Sequence, residues 1–451
     1  MRQILIIGAG KSTSVLIEYL CKQGEIHDWN VRVGDLDLDL ARSRVKNLPR
    51  GEAIVFDADD TVGRDTEIQN ADLVVSMLPP PLHPPVAEAC IHYRTHFVSA
   101  SYVSQEVKEL NDAAVRAGII ILSEVGVDPG IDHMSAMEKL DQLRRDDAKI
   151  TEFETFTGGL VAPDSDDNPW GYKFTWNPRN VVIAGKGGVQ FKHNGRYKYI
   201  PYHKLFSRFE ILEVPGYGKF EGYPNRDSLK YRHHYGLYDV NTIYRGTLRR
   251  LGFCQAWDCL VQLGLTDDSY EIEGLESMTY RDFVNSYLWY DRDISVELKI
   301  KAYLKLELNS PAFDRLESLG LFEKKPIGLR KASPAAILGK LLEEKWRMKP
   351  TDKDMIVMLH KYAYQLNGEE WESQSSMVTL GEDSVKTAMA KTVGLAAGIS
   401  SKLVMTGRIE MTGVVIPTVP QVYAPVLAEL RNLGISFSEE TKRREISQHG
   451  I

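Results

Sequence analysis

Gly8-Ala9-Gly10, closing an apolar run, and Asp35, closing a second apolar run about twenty-five residues later, carry the most chemistry in this chain. Glycines at such a turn let the backbone approach a pyrophosphate, and an acid at the tip of the next strand accepts the ribose hydroxyls, so the spacing predicts a dinucleotide site. Thr13 stands where the fingerprint's third glycine belongs, so glycines serving only a tight turn are the competing reading. Gly10-Lys11-Ser12 is not a P-loop, because the glycine that motif needs five positions before Gly10 is Leu5. A carboxylate at Asp35 or Asp37 repels a 2′-phosphate and favours NAD over NADP, unless Asp37 or Asp39 simply caps the following helix.

Two further strings lie where an open α/β sheet gathers its ligands, beyond the carboxyl ends of strands: Ser99-Ala100-Ser101-Tyr102 and Val125-Gly126-Val127-Asp128-Pro129-Gly130-Ile131-Asp132-His133. Asp128 is a candidate proton acceptor or a helix cap; His133, on a helix, is a weaker candidate or satisfies a buried backbone group. Arg179, Arg226 and Arg245 sit beside aromatics in turn-like or strand-end contexts. Arginine holds a carboxylate in a bidentate fork, and several forks imply a substrate with several carboxylates, although each arginine alone is more often a surface residue.

The elements that must position these residues follow from hydrophobic periodicity. Strands are expected at 3–7, 31–34, 53–56, 73–78, 97–100 and 119–122, with helices between most of them, which implies a parallel sheet covered on both faces. Residues 1–130 form this doubly wound unit, completed by about 385–451. Residues 131–252 and 349–384 read as a mixed-sheet α+β domain, with strands at 151–157, 181–184, 209–214 and 354–364 and a further strand-like stretch at 294–307. Residues 253–348 read as a mainly helical insertion.

Composition bounds the function. A formal charge of −7 and a pI near 5.9 argue against a nucleic-acid surface. No apolar run approaches a membrane span. Four scattered cysteines suit reduced thiols in a cytoplasm, and Cys254 and Cys259 have no histidine pair at zinc spacing, so no metal is expected.

Taken together, Ser101-Tyr102, Val127 to His133, Gly158-Gly159-Leu160, Asp167-Asn168-Pro169, Tyr172-Lys173-Phe174, Tyr223 to Ser228 and Arg245 to Arg249 resemble saccharopine reductase, the L-glutamate-forming saccharopine dehydrogenase family. The resemblance spans nearly the whole chain. It implies a Rossmann domain, a mixed-sheet domain for substrate and subunit pairing in a homodimer, and a helical insertion. The implied reaction turns saccharopine and an oxidised NAD or NADP into α-aminoadipate semialdehyde and glutamate, or runs in reverse. Ser101, Tyr102, Arg226, Arg245, Gly246 and Thr247 resemble the family's substrate contacts. Gly8, Ala9, Gly10, Lys11, Val127, Asp128, Pro129, Gly130 and Thr175 resemble its cofactor contacts. Asp128 is the first expectation for the proton acceptor, followed by Tyr102 and Lys173. Two departures stand out: fungal members place an arginine where this chain has Asp35-Leu36-Asp37, and Thr157 occupies a position where relatives often carry a cysteine. A carboxynorspermidine-type polyamine dehydrogenase, whose more cationic substrate calls for acids in place of arginines, and a non-catalytic nucleotide sensor of the same fold are the alternatives.

Overall fold

The structure is a computed structural model and describes residues 1–444. In its amino-terminal part β1 (Arg2–Ile7), β2 (Trp29–Asp35), β3 (Gly51–Val55), β4 (Leu73–Ser76), β5 (His96–Ser99) and β6 (Ile120–Leu122) pair in parallel, in the order β6-β5-β4-β1-β2-β3. Ile4 to Ile7 and Leu73 to Val75 are fully buried, as strands covered by helices on both faces must be. This is the doubly wound Rossmann order expected from the sequence, and it brings the loops after β1, β4, β5 and β6 to one edge.

The second sheet is built from β7 (Lys149–Val161), β8 (Val189–His193), β9 (Arg196–Ile200), β10 (Glu210–Val214), β11 (Gly218–Pro224) and β12 (Thr242–Arg249). A two-residue ladder, β13 (Ile272–Glu273) with β14 (Lys331–Ala332), lies within the helical insertion. The chain then adds β15 (Asp354–Leu366) and β16 (Glu369–Leu380) to the second sheet, β17 (Gly413–Val415) to β6, and β18 (Ser438–Arg443) to β16. The path runs β10-β11-β12-β7-β15-β16-β18, with β12 and β7 parallel and the other pairs antiparallel, a mixed sheet.

One continuous apolar core joins the two sheets: Ile4, Ile6 and Val31 of the first share it with Phe153, Ile243 and Met358 of the second. The helix Ala388–Met405 occupies this core and lies on the helix Ser14–His27. Gly394 makes the approach possible, since a Cβ there would stand 2.7 Å from the Leu16 nitrogen. The tail therefore serves both sheets, because β18 returns to the second; residues 445–451 lie outside those described.

Two expected strands are helices. Residues 181–184 end the helix Pro178–Val182, where Asn177 caps the Arg179 N–H and Pro178 takes the first turn. Residues 294–307 contain the helix Val296–Tyr303, capped by Ser295 on the Leu298 N–H. Its alternation of apolar and charged residues reads as period two, yet Val296, Lys299 and Ile300 form the buried face, and the Lys299 ammonium ends on Asn285 and the Asp291 carbonyl. Among the described residues no helix is long and apolar enough to cross a membrane, and no cluster of His, Cys, Asp and Glu could hold a metal. The four cysteines are unpaired and buried.

Candidate active site

The turn after β1 is shaped for a dinucleotide. Gly8 adopts φ +103° and donates its N–H to the Gly34 carbonyl at 2.8 Å, while a Cβ added at Gly10 would meet nothing within 4 Å. Thr13 spends its hydroxyl on the Gly10 carbonyl rather than on a helix cap, so the first N–H groups of the helix Ser14–His27 have no side-chain cap. Such an end attracts a pyrophosphate. Asp35 accepts the Ala9 N–H at 2.7 Å on one oxygen and the Asp37 N–H at 3.0 Å on the other. Each oxygen keeps a lone pair for a ribose hydroxyl. Asp37 caps the next helix through the Asp39 and Leu40 N–H groups, the alternative foreseen for it. Arg44 is directed at the Ala9 and Gly10 carbonyls, at 3.1 and 3.4 Å. Lys11 lies within electrostatic reach of Glu343 and Arg347, so the end of the insertion's last helix stands near the turn.

A second cluster forms where the loops after β5 and β6 meet the second sheet. Tyr102 donates its hydroxyl to an Asp128 oxygen at 2.8 Å, and the Arg245 guanidinium, on β12, donates to the same oxygen at 2.8 Å and to Asp132 at 2.7 Å. Asp128 is 15% exposed against 3% for Arg245 and 1% for Asp132, so Asp128 is the member of the triad that reaches the opening. Burial, followed by the Asp132 carboxylate, holds the Asp128 carboxyl above its usual range, against the pull of Arg245. Burial likewise raises the Tyr102 phenol. The exposed Arg226, at φ +52° in the turn after β11, places its guanidinium 4.6 Å from the centre of the Tyr102 ring. That turn is tied to β12, because Asn225 donates to the Arg245 carbonyl and Arg245 to the Ser228 hydroxyl.

Beneath the triad, Glu124 receives the Val103 N–H and the Tyr231 hydroxyl, and His133 Nε2 stands 3.0 Å from it. Burial, which pushes the Glu124 carboxyl up, is outweighed by His133, the Val103 N–H and Arg245 together, and the net shift is downward. His133 thus satisfies side chains, with the Tyr235 hydroxyl at 2.6 Å on its other nitrogen, rather than a backbone group. The loop from Val127 through Pro129 is locked to β5 by Val125 donating to the Ser99 carbonyl. It closes on Gly130, whose φ is +148° and where a Cβ would stand 2.1 Å from the Gly126 oxygen.

Several expected residues lie apart from this cluster or are already engaged. Lys173 is 3% exposed, with its ammonium 2.8 Å from Asp167 and 2.6 Å from Asp352. Burial lowers its pKa, but these two acids outweigh that and keep it protonated, so it is no proton acceptor. Gly246 faces away from Arg245, where it admits the Phe156 ring, while Thr247, opposite Tyr223 in the ladder, shares the Arg245 face. Thr175 is buried with no hydrogen bond to the cluster among the described residues. Arg245 is not a free carboxylate fork, since it already serves two aspartates. Arg179 lies 3.7 Å from Asp268 and lines a cavity of about 440 Å³ in the insertion that none of the cluster reaches.

The sequence reading assigned no part to Asp132, Glu124, Tyr231 or His83, each of which touches the cluster or its support. Asp132 lay within the quoted string, and a histidine after the Pro79-Pro80-Pro81 turn at the end of β4 was a usable signal for His83.

A parallel sheet with an open glycine turn, and an acid of raised pKa held between two sheets, define a dinucleotide-dependent oxidoreductase. Residues 4–122 match the family described as saccharopine dehydrogenase NADP binding domain, and residues 126–435 the saccharopine dehydrogenase C-terminal domain. The chain is 31% identical over 452 residues to the saccharopine dehydrogenase (NADP(+), L-glutamate-forming) of Schizosaccharomyces pombe, covering 98% of this chain and 99% of that protein. It is 32% identical to the mitochondrial alpha-aminoadipic semialdehyde synthase of Rattus norvegicus, across 98% of this chain and 48% of that protein's length. The apo saccharopine dehydrogenase (L-Glu forming) structure from Saccharomyces cerevisiae matches with a TM-score of 0.87 and 29% identity, over 98% of this chain and 100% of that one. The chain belongs to the saccharopine dehydrogenase family.

Proposed function

We propose that this chain oxidises saccharopine at its secondary amine to α-aminoadipate semialdehyde and L-glutamate, or catalyses the reverse, in lysine metabolism. The observation that carries the reading is the Tyr102–Asp128–Arg245 cluster, built from both sheets beside an open dinucleotide turn. Gly8, Ala9, Gly10, Lys11 and Asp35 hold the nicotinamide dinucleotide, which when bound takes up the hydride from the carbon next to the amine. Asp128 takes the proton that the amine must lose and passes it to solvent, then takes a proton from the attacking water and returns it to the glutamate nitrogen as the carbon–nitrogen bond breaks. Tyr102 and Arg245 orient that carboxylate, and Asp132 keeps it basic enough to accept a proton. Arg226, which no carboxylate pairs among the described residues, meets a substrate carboxylate, and Ser101 donates to another. The test is turnover of saccharopine with glutamate identified as product. A protein that binds nucleotide but reduces none with saccharopine, or that prefers a polyamine adduct, overturns the proposal.

We assign NAD as the preferred cofactor, although the fungal relatives are named for NADP(+) and the matching amino-terminal family model for NADP binding. Asp35 closes β2, Asp37 caps the helix that follows, Asp57 follows the neighbouring β3, and the nearby Arg44 is committed to turn carbonyls. A 2′-phosphate would meet carboxylates there. Unpaired thiols suit the reducing conditions of a cytoplasm, and subunit pairing through the second sheet would use exposed Tyr199 and Ile211, with sedimentation as the measurement.

A further inference from the structure

Behind Ser101 lies a line of side chains that the proposed chemistry does not use. His83, 4% exposed, opens the helix His83–Tyr93 after β4. Its Nδ1 stands 3.0 Å from the Ser76 hydroxyl and its Nε2 stands 2.9 Å from the Ser101 hydroxyl. The Ser99 hydroxyl lies farther from Nε2, at 3.4 Å, and accepts the Ser101 N–H at 3.1 Å. Ser76 and Ser99 end adjacent parallel strands, so the imidazole bridges β4 to the loop after β5.

The direction of these bonds follows from what each group must satisfy. Ser76 has no exposed surface, and His83 is its one side-chain hydrogen-bond partner among the described residues. A buried hydroxyl has a proton to place; Ser99, buried too, competes for the ring only from 3.4 Å at Nε2, so the closer Ser76, at 3.0 Å, donates and Nδ1 accepts. Burial pushes the imidazole pKa down to about 4, which keeps the ring neutral near pH 7. A neutral ring accepting at Nδ1 carries its hydrogen at Nε2, and that hydrogen goes to Ser101 Oγ. The ring thereby fills an acceptor site of Ser101 and leaves the O–H of this half-buried serine for the cleft.

We propose that His83 is a positioning residue: held as the Nε2–H tautomer by Ser76, it turns the Ser101 hydroxyl outward as a donor to a substrate carboxylate. This rests on the reading of Ser101 as a substrate contact. With the tautomer reversed, Ser101 would donate to the ring and present lone pairs to an anion, which repels it.

The experiment is a set of thermodynamic cycles on the full chain, reading the Michaelis constants for saccharopine and for the dinucleotide separately. Ser101→Ala is expected to raise the saccharopine constant roughly 10- to 100-fold, the worth of a hydrogen bond to a charged group. His83→Phe should approach that loss, and His83→Gln, whose amide N–H can reach Ser101, should recover most of it. Ser76→Ala deletes one remote hydroxyl and should raise the same constant several-fold with the dinucleotide constant unmoved. In the Ser101→Ala background, His83→Phe and Ser76→Ala should add nothing. Independent multiplication of the losses, or equal losses for both ligands, overturns the part assigned to His83. If Ser101→Ala alone leaves the saccharopine constant unchanged, it is the reading of Ser101 that fails. Should His83→Phe not fold, the Ser76→Ala cycle decides by the same criteria.

Discussion

Replacing Asp128 by asparagine separates chemistry from folding in this site. Both hydrogen bonds to the Asp128 side chain, from Tyr102 and from Arg245, fall on one oxygen, which an asparagine carbonyl can replace. Counting two carboxylates against one guanidinium, the buried triad carries one net negative charge, and the substitution leaves a matched Arg245–Asp132 pair. Folding stability should therefore change by no more than about 1 kcal/mol. Catalysis should not survive so well, because asparagine accepts no proton at working pH. Loss of a general base typically costs ~10²- to 10⁴-fold, or about 2.7–5.5 kcal/mol of barrier.

The assay is steady-state oxidation of saccharopine, followed by nicotinamide absorbance across pH, with denaturant unfolding of the same samples. For the wild type, kcat/KM should rise with pH through a limb above the usual carboxylate range, where burial and Asp132 place Asp128. The limb should vanish in Asp128→Asn. In Asp132→Asn it should move to lower pH, because the neighbouring negative charge that raised Asp128 is gone. An Asp128→Asn protein that keeps more than a tenth of the wild-type kcat/KM, or that keeps the limb, would refute the assignment of the proton to this carboxylate.

Cofactor choice is tested by the ratio of kcat/KM for NAD over NADP, expected at roughly 10- to 100-fold, equivalent to ~1.4–2.8 kcal/mol; the double substitution Asp35→Ala with Leu36→Arg should bring it below one. Gly130→Ala should cost more than about 2 kcal/mol in denaturant unfolding, since a methyl group would overlap the Gly126 carbonyl at a φ that disfavours side chains. Glu124→Gln weakens a buried contact to His133 and should cost about 1–3 kcal/mol near pH 7. Because the native Glu124 pKa is depressed, that stabilisation is present above the ordinary glutamate range and is lost as pH falls through the depressed value, so wild-type and variant stabilities should converge in acid.

How much was legible in the sequence depended on whether a signal was local. The parallel sheet was, since Ile4 to Ile7 and Leu73 to Val75 are apolar runs of strand length ended by turn residues. β16 was not: around Trp371 its first eight residues are polar, and Ser373 and Ser375 are buried because β15 and β18 flank the strand. β12 and the turn after β11 were noticed for Arg245 and Arg226, but neither β11 nor β12 was read as a strand, because Gly218, Gly222, Pro224 and Gly246 break the apolar pattern. In the site, Ser101, Tyr102, Asp128, Arg226 and Arg245 were individually visible as polar residues at strand ends or in turns. Their mutual engagement was hidden, because it depends on how one sheet sits against the other. Lys173 shows the opposite error: a lysine between aromatics looked available, and only the fold brings Asp167 and Asp352 onto it.

The two arginines that looked equivalent in sequence divide the work by burial. Arg245, enclosed and shared by two aspartates, has little charge left for a ligand and governs how strongly Asp128 holds a proton. Arg226 lies in solvent against the flat face of Tyr102, a contact worth only ~0.5–1 kcal/mol at an exposed site, so it can leave the ring for a carboxylate at small cost. Binding then alters the acid as well as the pose. A substrate anion drawn to Arg226 adds negative charge beside Tyr102 and Asp128, which raises the proton affinity of Asp128 at the point where the substrate amine has a proton to give. The exposed guanidinium recruits the anion, and the buried one keeps the carboxylate ionised until that anion arrives.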